Sequence, residues 1–273
     1  MLVQVISAVI SVAGLGVLMG VGLAVAAKFL AVQKDECIAI IEAELPGLNC
    51  GACGYAGCAS YAEIIAGKEE ENLTLCTPGG PDVVLKISEI MGVEVAAMAE
   101  KQVTQVHCTG GKGKAEYEFA YSGIRDCNAL YALYGGDKKC KHGCLGQGSC
   151  IRVCPVNAIS YTENGLLWIN KEFCIACGKC IEVCPTGVIR WLPYNSDYLV
   201  ACNSTDKGGA VRKICKVGCT GCKICEKKSP DGGFKVEDFL SRIDYQAEGE
   251  RESGAVACPT KCIIRNDVEI KKK

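Results

Sequence analysis

The hydrophobic pattern divides the chain into three regimes. From Leu2 to Ala27 no side chain is charged, and Gln4, Ser7 and Ser11 are the only strongly polar ones. At 1.5 Å per residue a helix of this length spans a bilayer with some tilt. From Asp35 to Leu45 apolar and charged positions alternate at helical spacing until Pro46, which predicts a short amphipathic helix. A second helical, charged stretch precedes Cys76. Farther on the period shortens. Ala158–Thr162 and Leu166–Asn170 flank a Glu-Asn-Gly turn and predict two short strands.

The apolar run has two readings. Ala24-x-Ala26 resembles a signal-peptide cleavage site, but no Lys or Arg precedes the run and it is long for such a segment. A retained anchor is therefore expected over residues 1–30. Lys28 and Lys34 follow the run and none precede it, so the C-terminal side is expected in the cytoplasm, as a single-pass protein of the cell membrane. Gly16 and Gly20 share a helix face, which suits either close helix packing or ordinary membrane glycine content.

Composition changes the picture chiefly through cysteine. The chain has 273 residues, a formal charge of −1 and 22 cysteines. That length allows two or three small domains, and that charge suggests no nucleic-acid partner. Disulfide frameworks share the cysteine richness but come with irregular spacing and a signal peptide. Here the spacing is regular. Cys174-x2-Cys177-x2-Cys180-x3-Cys184-Pro185 places three thiolates on one loop, with a fourth that reaches across to a neighbouring cubane. Zinc sites share the C-x2-C unit but not this run. The reading is [4Fe–4S] clusters that move single electrons.

A first set stands nearer the N-terminus. Cys50, Cys53 and Cys58 lie in Asn49-Cys-Gly-Ala-Cys-Gly-Tyr-Ala-Gly-Cys58, and Cys76 precedes Pro78-Gly79-Gly80. The glycines permit a tight loop with converging ligands. Spacing alone leaves a [4Fe–4S] cluster and a zinc site both open here.

The apolar run, LPGLNCGACGYAGC, CTPGG, Cys140-Lys-His-Gly-Cys144-Leu-Gly-Gln-Gly-Ser-Cys150 and the ferredoxin run together resemble the B subunit of the Rnf complex. That complex is a membrane-bound, ion-translocating ferredoxin:NAD oxidoreductase, and the resemblance covers nearly the whole chain. It implies an electron-transfer subunit that takes electrons from reduced ferredoxin and hands them to membrane partners, with no complete active site of its own.

The expected fold class is α+β: a single N-terminal transmembrane helix, a small helical [4Fe–4S] domain at 31–93, then two ferredoxin-like α+β modules. A connecting segment is expected at 94–136, a two-cluster module at 137–193 and a degenerate one-cluster module at 194–273. With crossed-over fourth ligands, Cys140, Cys144, Cys150 and Cys184 would hold one cluster, and Cys174, Cys177, Cys180 and Cys154 the other.

The last module repeats this pattern. Cys140-Lys-His-Gly-Cys144 aligns with Cys215-Lys-Val-Gly-Cys219, Cys150 with Cys225, and Cys154-Pro155 with Ser229-Pro230. Aligned on the final Cys-Pro pairs, Cys184 matches Cys258, while Cys174, Cys177 and Cys180 match Glu248, Arg251 and Gly254. The losses fall on the four ligand positions of one cluster. The surviving set is Cys219, Cys222, Cys225 and Cys258, with Cys215 an alternative to Cys222. Four clusters are expected in all. Cys262 falls where a small apolar residue packs. Cys108, Cys127, Cys202 and Cys215 suit either small-residue packing or an extra cluster or zinc site. Val106-x-Cys108 and Val200-x-Cys202 occupy similar places before the two modules. His107 and His142 are expected at the surface, and no glycine-rich nucleotide loop is present.

One charged patch stands out. Lys207, Arg212, Lys213, Lys216, Lys223, Lys227 and Lys228 face a single acid, Glu226, giving the stretch a charge of +6. It suits docking of an acidic ferredoxin, balancing of a cluster's charge, or a solvated face. Two rival functions remain open from sequence: a membrane-tethered donor to a redox-sensing regulator without ion pumping, and a structural zinc protein.

Overall fold

The computed structural model describes residues 2–29, 35–94 and 101–266. Helix α1 (Leu2–Phe29) is continuous over 28 residues, and its described side chains, Ile6, Ile10 and residues 12–27, are exposed. Among the fully described residues no helix is long and apolar enough to cross a membrane. Lys34 and the Lys28 side chain, on which the orientation reading rests, lie outside the described residues.

The small helical domain follows its sequence signals. Helices α2 (Glu36–Glu44), α3 (Cys58–Ala66) and α4 (Gly80–Met91) bury Ile41, Tyr61, Ile65, Val84 and Ile87. Burial of each such side chain contributes about 1.5–3 kcal/mol. Proline stands in the first turn of α4, and Gly92 ends it at φ 63°, a left-handed position that glycine takes without a Cβ clash.

The first ferredoxin-like module contains β1 (Gln102–Val106), α5 (Cys127–Tyr131), α6 (Ser149–Val153), β2 (Ile159–Tyr161), β3 (Leu167–Ile169), α7 (Lys179–Glu182) and β4 (Ile189–Pro193). β1 pairs antiparallel with β4, Gln102 opposite Pro193 and Val106 opposite Ile189. β2 pairs with β3 across the Glu-Asn-Gly turn that the sequence predicts. The stretch 94–136, expected only to connect, supplies β1 and α5.

The second module contains β5 (Tyr198–Val200), α8 (Gly208–Ile214), α9 (Ile224–Lys228), β6 (Phe234–Glu237), β7 (Leu240–Ile243), α10 (Glu252–Val256) and β8 (Ile263–Arg265). It repeats the plan. β5 pairs with β8 on the outside, and β6 with β7 within. Each module has its own apolar core.

The seam between modules combines an apolar cluster, Val103, Trp168 and Leu192 against Leu199 and Ala201, with hydrogen bonds. Asn203 Nδ2 donates to the carbonyls of His142 at 3.3 Å and Thr186 at 3.2 Å, and Ala115 bridges to Cys215. Here the expectation for the histidines is corrected in part. His107 is buried, 6% exposed, because its ring enters the seam and Nδ1 donates to the Val200 carbonyl at 2.9 Å. Burial, with Arg190 nearby, lowers its pKa to about 3. His142 stays partly exposed, 3.6 Å from an Asp206 carboxylate oxygen.

Candidate iron–sulfur sites

In the helical domain, Cys50 and Cys53 sit on the loop before α3, Cys58 is the first residue of α3, and Cys76 lies just ahead of α4. The loop is held by Asn49, whose backbone is left-handed (φ 46°) and whose Oδ1 accepts from the Cys58 N–H at 2.8 Å. That bond satisfies a free donor at the helix start. Burial pushes the Cys76 thiol up to about 11, and the thiols of Cys58, Cys50 and Cys53 add to the shift. Cys76 therefore lies near each of the other three thiols.

In the first module, Cys154, Cys174, Cys177 and Cys180 line one cavity with about 300 Å³ of empty space. Cys154 comes from the far half of the module, as the crossed-over pattern requires. The ligand loop bends through Ala176 (φ 54°) and Gly178 (φ 75°) before α7 begins. Thr104 Oγ1 lies 3.3 Å from Cys180 Sγ, and the Ala158 N–H donates to Cys154 Sγ at 3.3 Å. The thiols ring a space instead of meeting at a point, which fits a cubane. Among the described residues no group of three or more Cys, His, Asp or Glu is drawn together enough to hold a single ion.

In the second module, Cys219, Cys222, Cys225 and Cys258 line a similar cavity of about 300 Å³. Ser241 lies at its wall. Its Oγ is 3.2 Å from Cys225 Sγ, and its N–H donates to Cys219 Sγ at 3.4 Å. Cys262 is buried, 3.6 Å from Cys258 Sγ. Cys222 lines this cavity and Cys215 another.

The remaining expected set is split. Cys144, Cys150 and Cys184 pack in the first module's core. Burial raises the Cys150 thiol, with Cys144, Cys127, Cys180 and Cys184 nearby. Cys140 points elsewhere. It lines a pocket with about 410 Å³ of space, part of it open to solvent, together with Cys108, Cys202 and Cys215.

Comparison with known proteins follows the same division. Residues 45–78 match a family described as a putative Fe–S cluster, and residues 167–190 match a 4Fe–4S binding domain. The chain is 37% identical over 258 residues to the B subunit of an ion-translocating oxidoreductase complex from Methanosarcina acetivorans, covering 94% of this chain and 97% of that one. It is 40% identical over 251 residues to the B subunit of the proton-translocating ferredoxin:NAD(+) oxidoreductase complex of Clostridium ljungdahlii, covering 91% and 88%. Against the B subunit of the Na(+)-translocating ferredoxin:NAD(+) oxidoreductase complex of Acetobacterium woodii, identity is 36%, covering 94% and 76%. The chain belongs to this family of B subunits.

In this B subunit three of the four substituted positions, Ser229, Arg251 and Gly254, are packed or hydrogen-bonded, and Glu248 is exposed. Ser229 Oγ accepts from the Gly254 N–H at 2.8 Å. A Cβ on Gly254 would meet Phe234 Cε2 and Ser229 Oγ, both at 2.9 Å. Arg251 donates to the carbonyls of Gly232 at 3.0 Å and Ala247 at 2.6 Å, and to Asp197 Oδ1 at 3.0 Å. These contacts pack Phe234, Ser229 and Arg251 closely around Gly254.

The basic patch lies along the segment that carries Cys219, Cys222 and Cys225. Its seven cations are all exposed, on or beside α8 and α9, and none has a carboxylate partner among the described residues. Lys223 lines the cysteine cavity itself. Of the 22 cysteines, Cys222 alone is exposed.

Proposed function

We propose that this B subunit is the electron-input arm of an ion-translocating ferredoxin:NAD oxidoreductase complex. It accepts single electrons from reduced ferredoxin and relays them toward membrane-embedded partners. The observation that carries this is the recurrence of four-thiol cavities along one chain. Bound [4Fe–4S] clusters supply the one-electron chemistry, and the protein supplies position, potential and docking.

The ligand sets are Cys50, Cys53, Cys58 and Cys76; Cys154, Cys174, Cys177 and Cys180; and Cys219, Cys222, Cys225 and Cys258. A further set includes Cys144, Cys150 and Cys184. Thr104 and Ser241 set hydroxyls against ligand sulfurs, which stabilises the thiolate and tunes potential. The exposed Cys222 within the cationic patch is the input end, where an acidic ferredoxin is steered and oriented. Helix α1, 28 residues long and free of charge up to Lys28, is the membrane anchor, with residues from 30 onward in the cytoplasm.

The test is electron uptake. Full-length chain, reconstituted anaerobically in detergent, is mixed with reduced ferredoxin. Ferredoxin should be oxidised while reduced-cluster EPR signals grow in this chain. A preparation that holds zinc in place of iron, or that leaves ferredoxin reduced, would sink the reading.

A further inference from the structure

We propose that Cys108, Cys140, Cys202 and Cys215 hold a further [4Fe–4S] cluster at the seam between the two modules, and that Cys127 replaces Cys140 beside Cys144, Cys150 and Cys184. The proposal rests on the functional reading above and extends it.

The four thiols line one cavity. They also form two repeat-related pairs. Cys108 and Cys202 each stand two residues beyond the outer strand of their module, after Val106 in β1 and Val200 in β5. Cys140 and Cys215 are the matching first cysteines of Cys-Lys-x-Gly-Cys. Each module thus contributes one equivalent pair. Packing of isolated small residues does not predict this pairing.

The local geometry is that of the other sites. Backbone N–H groups two residues on oppose the rise in thiol pKa that burial causes at Cys140 (from His142), Cys202 (from Ser204) and Cys215 (from Val217). The same turn occurs at Cys144 with Gly146, Cys177 with Lys179 and Cys219 with Gly221. Such bonds favour the charged thiolate. Gly110 leaves the space open: a Cβ there would stand 2.9 Å from Cys215 Sγ.

A buried cation points independently to an anion. Lys138 lines the cavity and is 1% exposed. Its Nζ donates to the carbonyls of Gly110 at 2.8 Å and Cys144 at 2.6 Å, with no ion-paired carboxylate among the described residues. Asp137 next along the chain and the Tyr117 ring, 5.6 Å from Nζ, are its other electrostatic neighbours, and a buried ammonium with no close ion pair is costly. A cubane on four thiolates, about −2 when oxidised, supplies that charge.

Cys127 is placed for its role. Its N–H donates to Ser149 Oγ at 2.7 Å, next to Cys150, and its thiol neighbours that of Cys150. The seam site also closes a gap, because Cys202 neighbours Cys219 on one side and Cys108 neighbours Cys144 on the other. Loading is ligand exchange: a cubane carried on four external thiolates breaks those four Fe–S bonds and forms four to the chain, the chain's thiol protons pass to the departing thiolates, and nothing is oxidised or reduced.

The experiment counts iron and acid-labile sulfide in full-length, anaerobically reconstituted chain, with Mössbauer and EPR spectra. About twenty irons per chain are expected, against about sixteen without the seam cluster. Cys215→Ala, Cys202→Ala and Cys140→Ala should each remove about four irons and the same spectral component, while Cys37→Ala, in α2 against the helical-domain core, removes none. Lys138→Met should shift the potential of that component downward. A parent count near sixteen, or loss by Cys140→Ala of the component that Cys184→Ala removes, would overturn the seam cluster and leave the electron-input reading standing. A chain without iron would overturn both.

Discussion

Reversing Lys213, Lys216 and Lys227 to Glu tests the input end directly. All three are exposed and none is ion-paired among the described residues, so the change removes no internal contact. The stretch from Lys207 to Lys228 carries +6, and three reversals bring it to zero. Electrostatic steering raises association rates by about 10- to 1,000-fold. Losing the field should therefore slow ferredoxin oxidation at least about ten-fold at low ionic strength. The Debye length shrinks from about 30 Å at 0.01 M salt to about 3 Å at 1 M, so the mutant and parent curves should converge as salt rises. Stopped-flow measurement of ferredoxin oxidation across a salt series gives both numbers, with iron content as the control. Equal rates at low salt, with clusters intact, would refute docking at this patch. The alternative input lies near Lys138, Lys139, Lys141 and Arg152, but Lys138 is buried, and Lys139, Lys141 and Arg152 are already paired with acids.

Other outcomes follow from the same geometry. Cys58→Ala should remove one cluster's EPR signal and leave the rest, since the helical domain has its own core; loss of all iron would contradict modular folding. Phe234→Ala empties a site that is 3% exposed and should cost about 3–5 kcal/mol in the second module's denaturation. A cost below about 1 kcal/mol would show that the ring does not fill the lost site by close packing. The chain should remain in alkaline-washed membranes with its first residues intact by mass spectrometry; a cut near Ala27 would rule out the anchor.

The sequence displays whatever is local. The ligand loop from Cys174 to Cys180, the β2–β3 hairpin and the repeat that exposes the four missing ligands are all readable from spacing, because their residues are close along the chain or aligned by duplication. The cavity at the seam is not. Its cysteines come from four separate segments, brought together only when β1 pairs with β4, β5 with β8, and the modules dock. No spacing rule joins Cys108 to Cys215. Cys140 lies close to Cys144 in sequence, which suggests a shared cluster, while its side chain lines the seam cavity. His107 beside Cys108 reads as a polar surface residue until the second module covers it.

The filled lobe of the second module has a consequence for traffic. A two-cubane module with its input at one centre leaves the other free to act as a siding, where an electron waits, reacts with oxygen or returns to the donor. Here Phe234, Arg251 and the Ser229–Gly254 contact close that siding with ordinary protein. On the proposed input route, an electron accepted beside Cys222 passes on toward the seam, where Cys202 neighbours Cys219. Direction is thus enforced by what the fold leaves out, and widening the lobe to admit a metal centre would trade a through-line for a junction.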